Sequence, residues 1–393
     1  MCSSDLFAPL PYFDFNATAP LHPDARRAWL EASDRAWHNP SSLFAGGTFA
    51  RNLLEDARER LADLLGCDAE RIVFTSGATA ANNAVARHVG RTAAGRRAVI
   101  SAVEHPCVRD AFVAAMPGSV VEAPLDRDGV VSIDAVEELL AAGDVACVSV
   151  MAAGNESGVI QPWQLLAERC RQRGVDFHTD AAQWLGKLPA AELGRCDWVT
   201  GSGHKFGGPK GVGFLVVPEG RTGFHGDLGG PQERGRWAGT ENVAAIVAMV
   251  AALEARDGEA AGQRLLRAGD RDAAERRLLE AIPAAIVVGG GAPRLWNTLA
   301  VIVPGADGKK LVARLGRAGV DASTGSACST GSDSLPRAVL ALGGEAAGRG
   351  MVRLSGGWET TAADWTVAID ALVAASVTDR ADGASRPAPG PRR

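Results

Sequence analysis

Apolar residues recur at helical spacing through "GTFARNLLEDARERLADLLG" (47–66), and the period then changes. "RIVFTSGATAANNAVARHV" (71–89) reads as a strand, a Gly turn and a helix, a βα unit. Short apolar runs follow at "AVIS" (98–101), "VACVSVM" (145–151), "VDFHT" (175–179), "WVTG" (198–201) and "VGFLVV" (212–217), most of them separated by helical or polar segments. This alternation predicts a largely parallel sheet covered by helices. Residues before 47 show no regular pattern. A helix rich in Ala, Val and Leu is expected from about Asn242, running through "GEAAGQRLLRAGDRDAAERRLLEAI". Beyond it come a second group of strands, "NTLAVIVPG" and "MVRLSGG", and a closing helix, "TAADWTVAIDALVAAS". The expected division is a large domain over 16–265 and a small one formed by 1–15 and 266–376. The stretch from 377 to 393 is rich in Pro, Gly and Arg without apolar periodicity, and should be disordered.

Composition narrows the function. The chain has 393 residues, enough for a large domain plus a smaller one. Its 46 acidic and 41 basic residues are dispersed, so no basic stripe offers itself directly to nucleic acid or anionic lipid. The longest apolar run, "VAAIVAMVAAL" (243–253), is too short to cross a bilayer, and "MCSSDLFAPL" lacks the features of a signal peptide, so a cytoplasmic protein is expected. The seven cysteines are scattered, without paired CxxC spacing or the density of a disulfide scaffold; reduced thiols and no metal site are expected.

Candidate chemistry sits where strands end. In "GSGHKFGGPKGVGFLVV" (201–217), Lys205 follows a His and precedes a Gly-rich turn, as a Schiff-base lysine desolvated at a strand end would; a surface lysine in a basic loop also fits. Asp180, in "VDFHTDAAQ", falls just past a buried strand, where an acid could keep a pyridinium nitrogen protonated, or could cap a helix. Gln183 could reach a phenolic oxygen or face solvent. "TSGAT" (75–79) follows a strand and opens a helix, which suits a phosphate but also an ordinary helix start. His105, in "EHPCV", could stack on a flat cofactor, cap a helix or sit in the core.

Taken together, and in this order along the chain, these segments resemble the fold-type-I enzymes of pyridoxal phosphate, specifically the class V aminotransferases and, among them, the cysteine desulfurases. The matching stretches include "YFDFNATAP" (12–20), "HNPSS" (38–42), "FTSGAT", "NESGVIQP" (155–162), "TDAAQWLGKLP", "SGHKFGGPKGVG", "GTENV" (239–243), "STGSAC" (323–328) and "VRLS" (352–355). The resemblance implies an α/β fold: a mainly parallel, mixed seven-stranded sheet in the large domain plus a smaller α+β domain. It implies that Lys205 attaches pyridoxal 5'-phosphate and moves the substrate's α proton, that Asp180 pairs the ring nitrogen, and that His105 stacks on the ring. Gln183 and Asn155 would contact the phenolic oxygen and the substrate side. Ala78, Thr79, Ser202 and His204 would hold the phosphate, joined by Thr240 of a partner subunit, so a homodimer follows. Arg353 would bind the substrate carboxylate. Cys328 would attack the sulfur of L-cysteine, leaving L-alanine and a persulfide that passes to an acceptor protein or small molecule. Cys107 is a rival thiol that the family motif does not call for. A selenocysteine lyase, another C–S lyase or a non-catalytic sulfur-assembly subunit are the competing readings.

Three positions depart from the family pattern: Ala80 stands where Glu is usual, Gly154 where Asn is usual, and Trp237 where Arg is usual. They bear on the substrate and the acceptor and leave the expected Lys, Asp, His, Arg and Cys untouched.

Overall fold

The computed structural model describes residues 11–325, 339 and 349–384. Two helices, α1 (Pro23–Arg35) and α2 (Ala45–Leu65), lead into β1 (Ile72–Thr75) and α3 (Ala78–Thr92). Then follow β2 (Arg97–Ser101), α4 (Pro106–Ala115), β3 (Val120–Ala123), α5 (Ile133–Ala141), β4 (Val145–Ser149), α6 (Trp163–Gln172), β5 (Asp176–Asp180), β6 (Trp198–Ser202) and β7 (Gly213–Val216). These strands form a seven-stranded sheet in the order β1-β7-β6-β5-β4-β2-β3, in which β7 runs antiparallel to both of its neighbours and the other pairings are parallel.

The unbroken apolar runs of these strands follow from burial on both faces. Val99, Val148, Phe177, Val199 and Phe214 enter one core, whereas Ala98, Cys147, Trp198 and Leu215, one residue out of step, enter the core on the opposite face. α1 corrects the expectation that the chain is irregular before residue 47. Pro23 starts it, His22 caps it by accepting from the Asp24 N–H, and only Ala25 and Ala32 are buried. Two small buried residues make no apolar stripe that periodicity could register.

The long α7 (Val243–Ala281) begins in the core of the large sheet, through Val243, Ile246, Met249 and Leu253, and ends in a separate core through Ala274 and Leu278. That second core is built on an antiparallel sheet, β10-β9-β8 (Met351–Ser355, Thr298–Ile302, Ile286–Val287), with α8 (Gly308–Arg317) and α9 (Ala362–Ala384) packed on it. Phe13, from the start of the chain, joins the second core and not the first. α9 continues to Ala384, past position 377 where composition predicts disorder to begin. Among the described residues no helix is long and apolar enough to cross a membrane.

Candidate active site

Parallel strands present their carboxyl ends on one edge of the sheet, where open α/β folds bind ligands. A cavity of about 740 Å³ lies there. Each parallel strand except β3 delivers one part of the lining: Gly77, Ala78 and Thr79 after β1, His105 after β2, Asn155 beyond β4, Asp180 as the last residue of β5, and Ser202, His204 and Lys205 at the end of β6. Gln183 and Arg353 complete the set; Gly77 aside, these are ten of the twelve residues to which the resemblance gives a role, and they line one cavity. Thr240 is exposed and is not among the residues lining it, and Cys328 lies outside the described residues.

The wall formed by α3 is suited to an anion. Gly77 precedes the helix with φ +143°, and no side chain caps it, so the first N–H groups of the helix and its positive end face the cavity. A Cβ at Gly77 would stand 3.5 Å from Ser202 Oγ and fill the space between them, and one at Gly213 would come within 2.6 Å of Gly77 Cα. Glycine at both positions lets β7 and the turn close up while leaving a cradle floored by backbone and rimmed by the Ser202 hydroxyl. Burial first, then the neighbouring lysines, hold His204 down at about 4, so it stands beside the cradle as a neutral imidazole.

Opposite, Lys205 Nζ donates to the Asn16 and Ala17 carbonyls at 2.7 and 2.9 Å. Asp180 is buried; its Oδ1 accepts from the Ala182 N–H and its Oδ2 from Asn82 Nδ2, both at 2.9 Å. Asn82, fully buried on α3, is a residue that sequence reasoning missed. Its amide is fully engaged. Oδ1 accepts from Thr200 Oγ1 and from His178 Nε2, and the NH₂ donates to Asp180 and to Cys107 Sγ. Ser149 Oγ donates to His178 Nδ1 at 2.7 Å, so the hydrogen bonds run in one direction from Ser149 to Asp180 and Cys107. Cys107 lies 2.9 Å from His105 Nδ1, which also accepts from the Cys107 backbone N–H and caps α4. Burial, more than the nearby Asp180, pushes the Cys107 thiol up to about 12, so at neutral pH it is a thiol that donates to His105. Desolvation lowers the pKa of His105 in turn.

His178 makes this network sensitive to acid. Burial holds it down at about 4, against about 6.5 when unfolded, so protons bind the unfolded chain preferentially as pH falls through this window. Stability present above pH 6.5 is therefore lost on the way to pH 4, by about 2 kcal/mol between pH 6.5 and 5 from this group. Urea unfolding of the wild type and His178→Gln at pH 7 and pH 5 measures it: the variant, which keeps a donor and an acceptor, should lose less by about that amount, and equal losses would exclude His178 as the source.

Arg353 reaches the cavity from β10 of the other sheet. Its guanidinium donates to the Asn155 carbonyl at 2.8 Å, to the Gly325 carbonyl and to Asp14, while Nε is buried with no partner among the described residues. A buried orphan N–H beside a cavity suits a carboxylate. Ala80 and Trp237 share the lining of an open groove beside the cavity mouth. The Trp237 ring lies against Gly226, where a Cβ would approach it within 2.4 Å. The loop bearing Trp237 and Thr240 is anchored by Glu233, which pairs with buried Arg58 through two 2.7 Å bonds and accepts from the Phe74 N–H of β1.

The family Aminotransferase class-V matches residues 11–366. The chain belongs to that family. Its curated relatives place it beside the cysteine desulfurases of the class V aminotransferases. The "Cysteine desulfurase" of Cereibacter sphaeroides is 38% identical over 90% of this chain and 92% of its own length. The "IscS-like cysteine desulfurase" of Mycobacterium tuberculosis is 37% identical over 96% of this chain and 100% of its own. Among solved structures, the NifS-like protein from Rickettsia africae superposes with a TM-score of 0.84 at 27% identity, covering 93% of this chain and 99% of that one. A structure titled "SspA in complex with cysteine" gives a TM-score of 0.75 at 27% identity, covering 88% and 98%. The class V aminotransferases are enzymes of pyridoxal phosphate, and the cavity has groups that fit that cofactor: an anion cradle at a helix start, a buried carboxylate, and a lysine amine in the same lining.

Proposed function

We propose that this protein is a cysteine desulfurase that binds pyridoxal 5'-phosphate, takes L-cysteine as substrate, and releases L-alanine. The observation that carries this reading is the meeting of Lys205, Asp180 and Arg353, from separate elements of two sheets, in one cavity. Bound there, the cofactor would supply an electron sink for the substrate's α-carbon. Lys205 would hold it covalently and afterwards move the proton at that carbon. Asp180 would hold a proton on the ring nitrogen, His105 would cover the ring face, and Gln183 and Asn155 would meet the phenolic oxygen and the substrate side. Ala78, Thr79, Ser202 and His204 would hold the phosphate, completed by Thr240 from a second copy of the chain. Arg353 would receive the substrate carboxylate on Nε, which has no partner among the described residues. The Cys328 thiolate would then attack the substrate's sulfur; the C–S bond breaks, its carbon is protonated to give alanine, and the sulfur remains as a persulfide for an acceptor protein or small molecule.

We further propose a homodimer, and domains at 16–265 and at 1–15 with 266–376, the division being supported by the passage of α7 from one core to the other. A cytoplasmic location is supported by Cys67, Cys107, Cys147, Cys170 and Cys196 all being free thiols. The deciding experiment supplies L-cysteine and a reductant and measures alanine and sulfide. Wild type should form both, and Cys328→Ser should lose sulfide release by about 10²-fold or more. A wild type that forms neither refutes desulfuration, and an unimpaired serine variant refutes the role of the thiol.

A further inference from the structure

Lys187 is a second, buried lysine behind the cavity, and no step of the proposed reaction uses it. Among the described residues, no carboxylate is one of its hydrogen-bond partners. Nζ donates to Asn16 Oδ1 at 2.9 Å and to Gln183 Oε1 at 2.5 Å. The identity of these two oxygens is set by backbone groups on the far side of each amide. Gln183 Nε2 faces the Asn16 carbonyl at 2.9 Å, and Asn16 Nδ2 faces the Asn155 carbonyl at 3.2 Å. A carbonyl only accepts, so each NH₂ must lie on that side and each amide oxygen must point to Lys187. Two buried oxygens thus converge on one amine. Desolvation, with Lys205 and Arg353 adding to it, lowers the pKa of Lys187 well below the usual lysine range; charged or neutral, the amine has the two N–H donors that the oxygens require.

We propose that Lys187 is a positioning residue: with the Asn16 backbone carbonyl on its NH₂ and Lys187 on its oxygen, the Gln183 amide is held at both ends, so that it offers N–H and not carbonyl to a ligand in the cavity. Gln183 then selects a hydrogen-bond acceptor, as a phenolate oxygen is, and rejects a donor at that point. Asn16 joins the two lysines: its side chain takes Lys187 and its backbone carbonyl takes Lys205. Without Lys187, Asn16 Oδ1 would keep Asn297 Nδ2 at 3.2 Å, but Gln183 Oε1 would lose a donor that it cannot replace by turning, since its oxygen would then face the Asn16 carbonyl; the amide would be held at one end only.

This role rests on the reading of the cavity as a pyridoxal-phosphate site, and the test separates the two. Pyridoxal phosphate is titrated into cofactor-free wild type, Lys187→Met, Gln183→Met and the double variant, and both its affinity and the pH midpoint of its visible absorption band are measured. Lys187→Met should weaken binding about 10-fold and move the midpoint by about half a unit. The double variant should lose no more than Gln183→Met alone, because Lys187 acts through that amide. Losses that add, or a Lys187→Met protein with unchanged affinity and midpoint, overturn the role. A residue needed only for folding would lower the thermal midpoint of the cofactor-free protein and leave the pH midpoint in place, which also overturns it. If Lys187→Met does not fold, Lys187→Gln, which keeps N–H donors, replaces it and should show the same non-additivity with a smaller shift. A wild type that takes up no cofactor overturns the reading of the site, and this role with it.

Discussion

Lys205→Ala is expected to be colourless after dialysis, to give no borohydride-fixed adduct, and to form alanine from L-cysteine about 10⁴-fold more slowly than wild type or worse. The size of the effect follows from two losses at one atom. Nζ is the group that would hold the cofactor covalently, and it is also the group placed to move the substrate's α proton. The amine sits at the end of β6 with its hydrogens directed to the Asn16 and Ala17 carbonyls, so it is held at the cavity wall before any ligand arrives. Truncation takes a donor from the Ala17 carbonyl, while the Asn16 carbonyl keeps Gln183 Nε2, which costs about 1–3 kcal/mol, and the fold should survive. Absorbance before and after borohydride, mass spectrometry of the peptide bearing Lys205, and alanine release check the three expectations separately. A variant that keeps its adduct would move the attachment to another amine, with buried Lys187 the first to examine.

Asp180→Asn is expected to reduce alanine formation by about 10²–10³-fold, with a smaller loss of stability. The substitution is nearly isosteric, but the geometry rejects it. Oδ1 accepts from the Ala182 N–H and Oδ2 from Asn82 Nδ2, so an amide at position 180 must set its NH₂ against one of these donors. Asn82 cannot turn to accommodate it, because its own oxygen is taken by Thr200 and His178. The variant therefore loses the negative charge needed to keep a ring nitrogen protonated and gains an opposed pair of donors, about 1–3 kcal/mol of destabilisation. Alanine formation and urea unfolding, measured together, separate the two effects. Activity within about threefold of wild type would exclude Asp180 as the ring's partner.

The βα alternation was legible in the sequence because strand and helix periods are properties of neighbouring residues, imposed by the backbone before any tertiary contact forms. The same locality explains why Lys205, Asp180, His105 and the turn at Gly77 could be found: each directly follows or ends an apolar run, and parallel strands bring such positions to one edge. α1 was not legible, since Ala25 and Ala32 carry its burial and alanine leaves little trace in a hydrophobic pattern.

What only the tertiary structure decided is the polar interior behind those residues. Asn82 meets Asp180 across 98 positions and Lys187 meets Asn16 across 171, distances over which a sequence has no period to read. In the sequence Asn82 is a polar residue on a helix and Lys187 follows a turn, both ordinary surface candidates. Folding removes them from water, and buried polar groups must then satisfy one another; the amide of Gln183, the acceptor nitrogen of His105 and the carbonyl facing Lys205 are all oriented by that requirement. Arg353 shows the same division: its charge is written in the chain, but its place at the cavity, with Nε unpartnered among the described residues, exists only because a strand of the second sheet is brought beside the strand ends of the first. The sequence determined which chemical groups the protein has at its strand ends, and the dry interior determined which way each of them points.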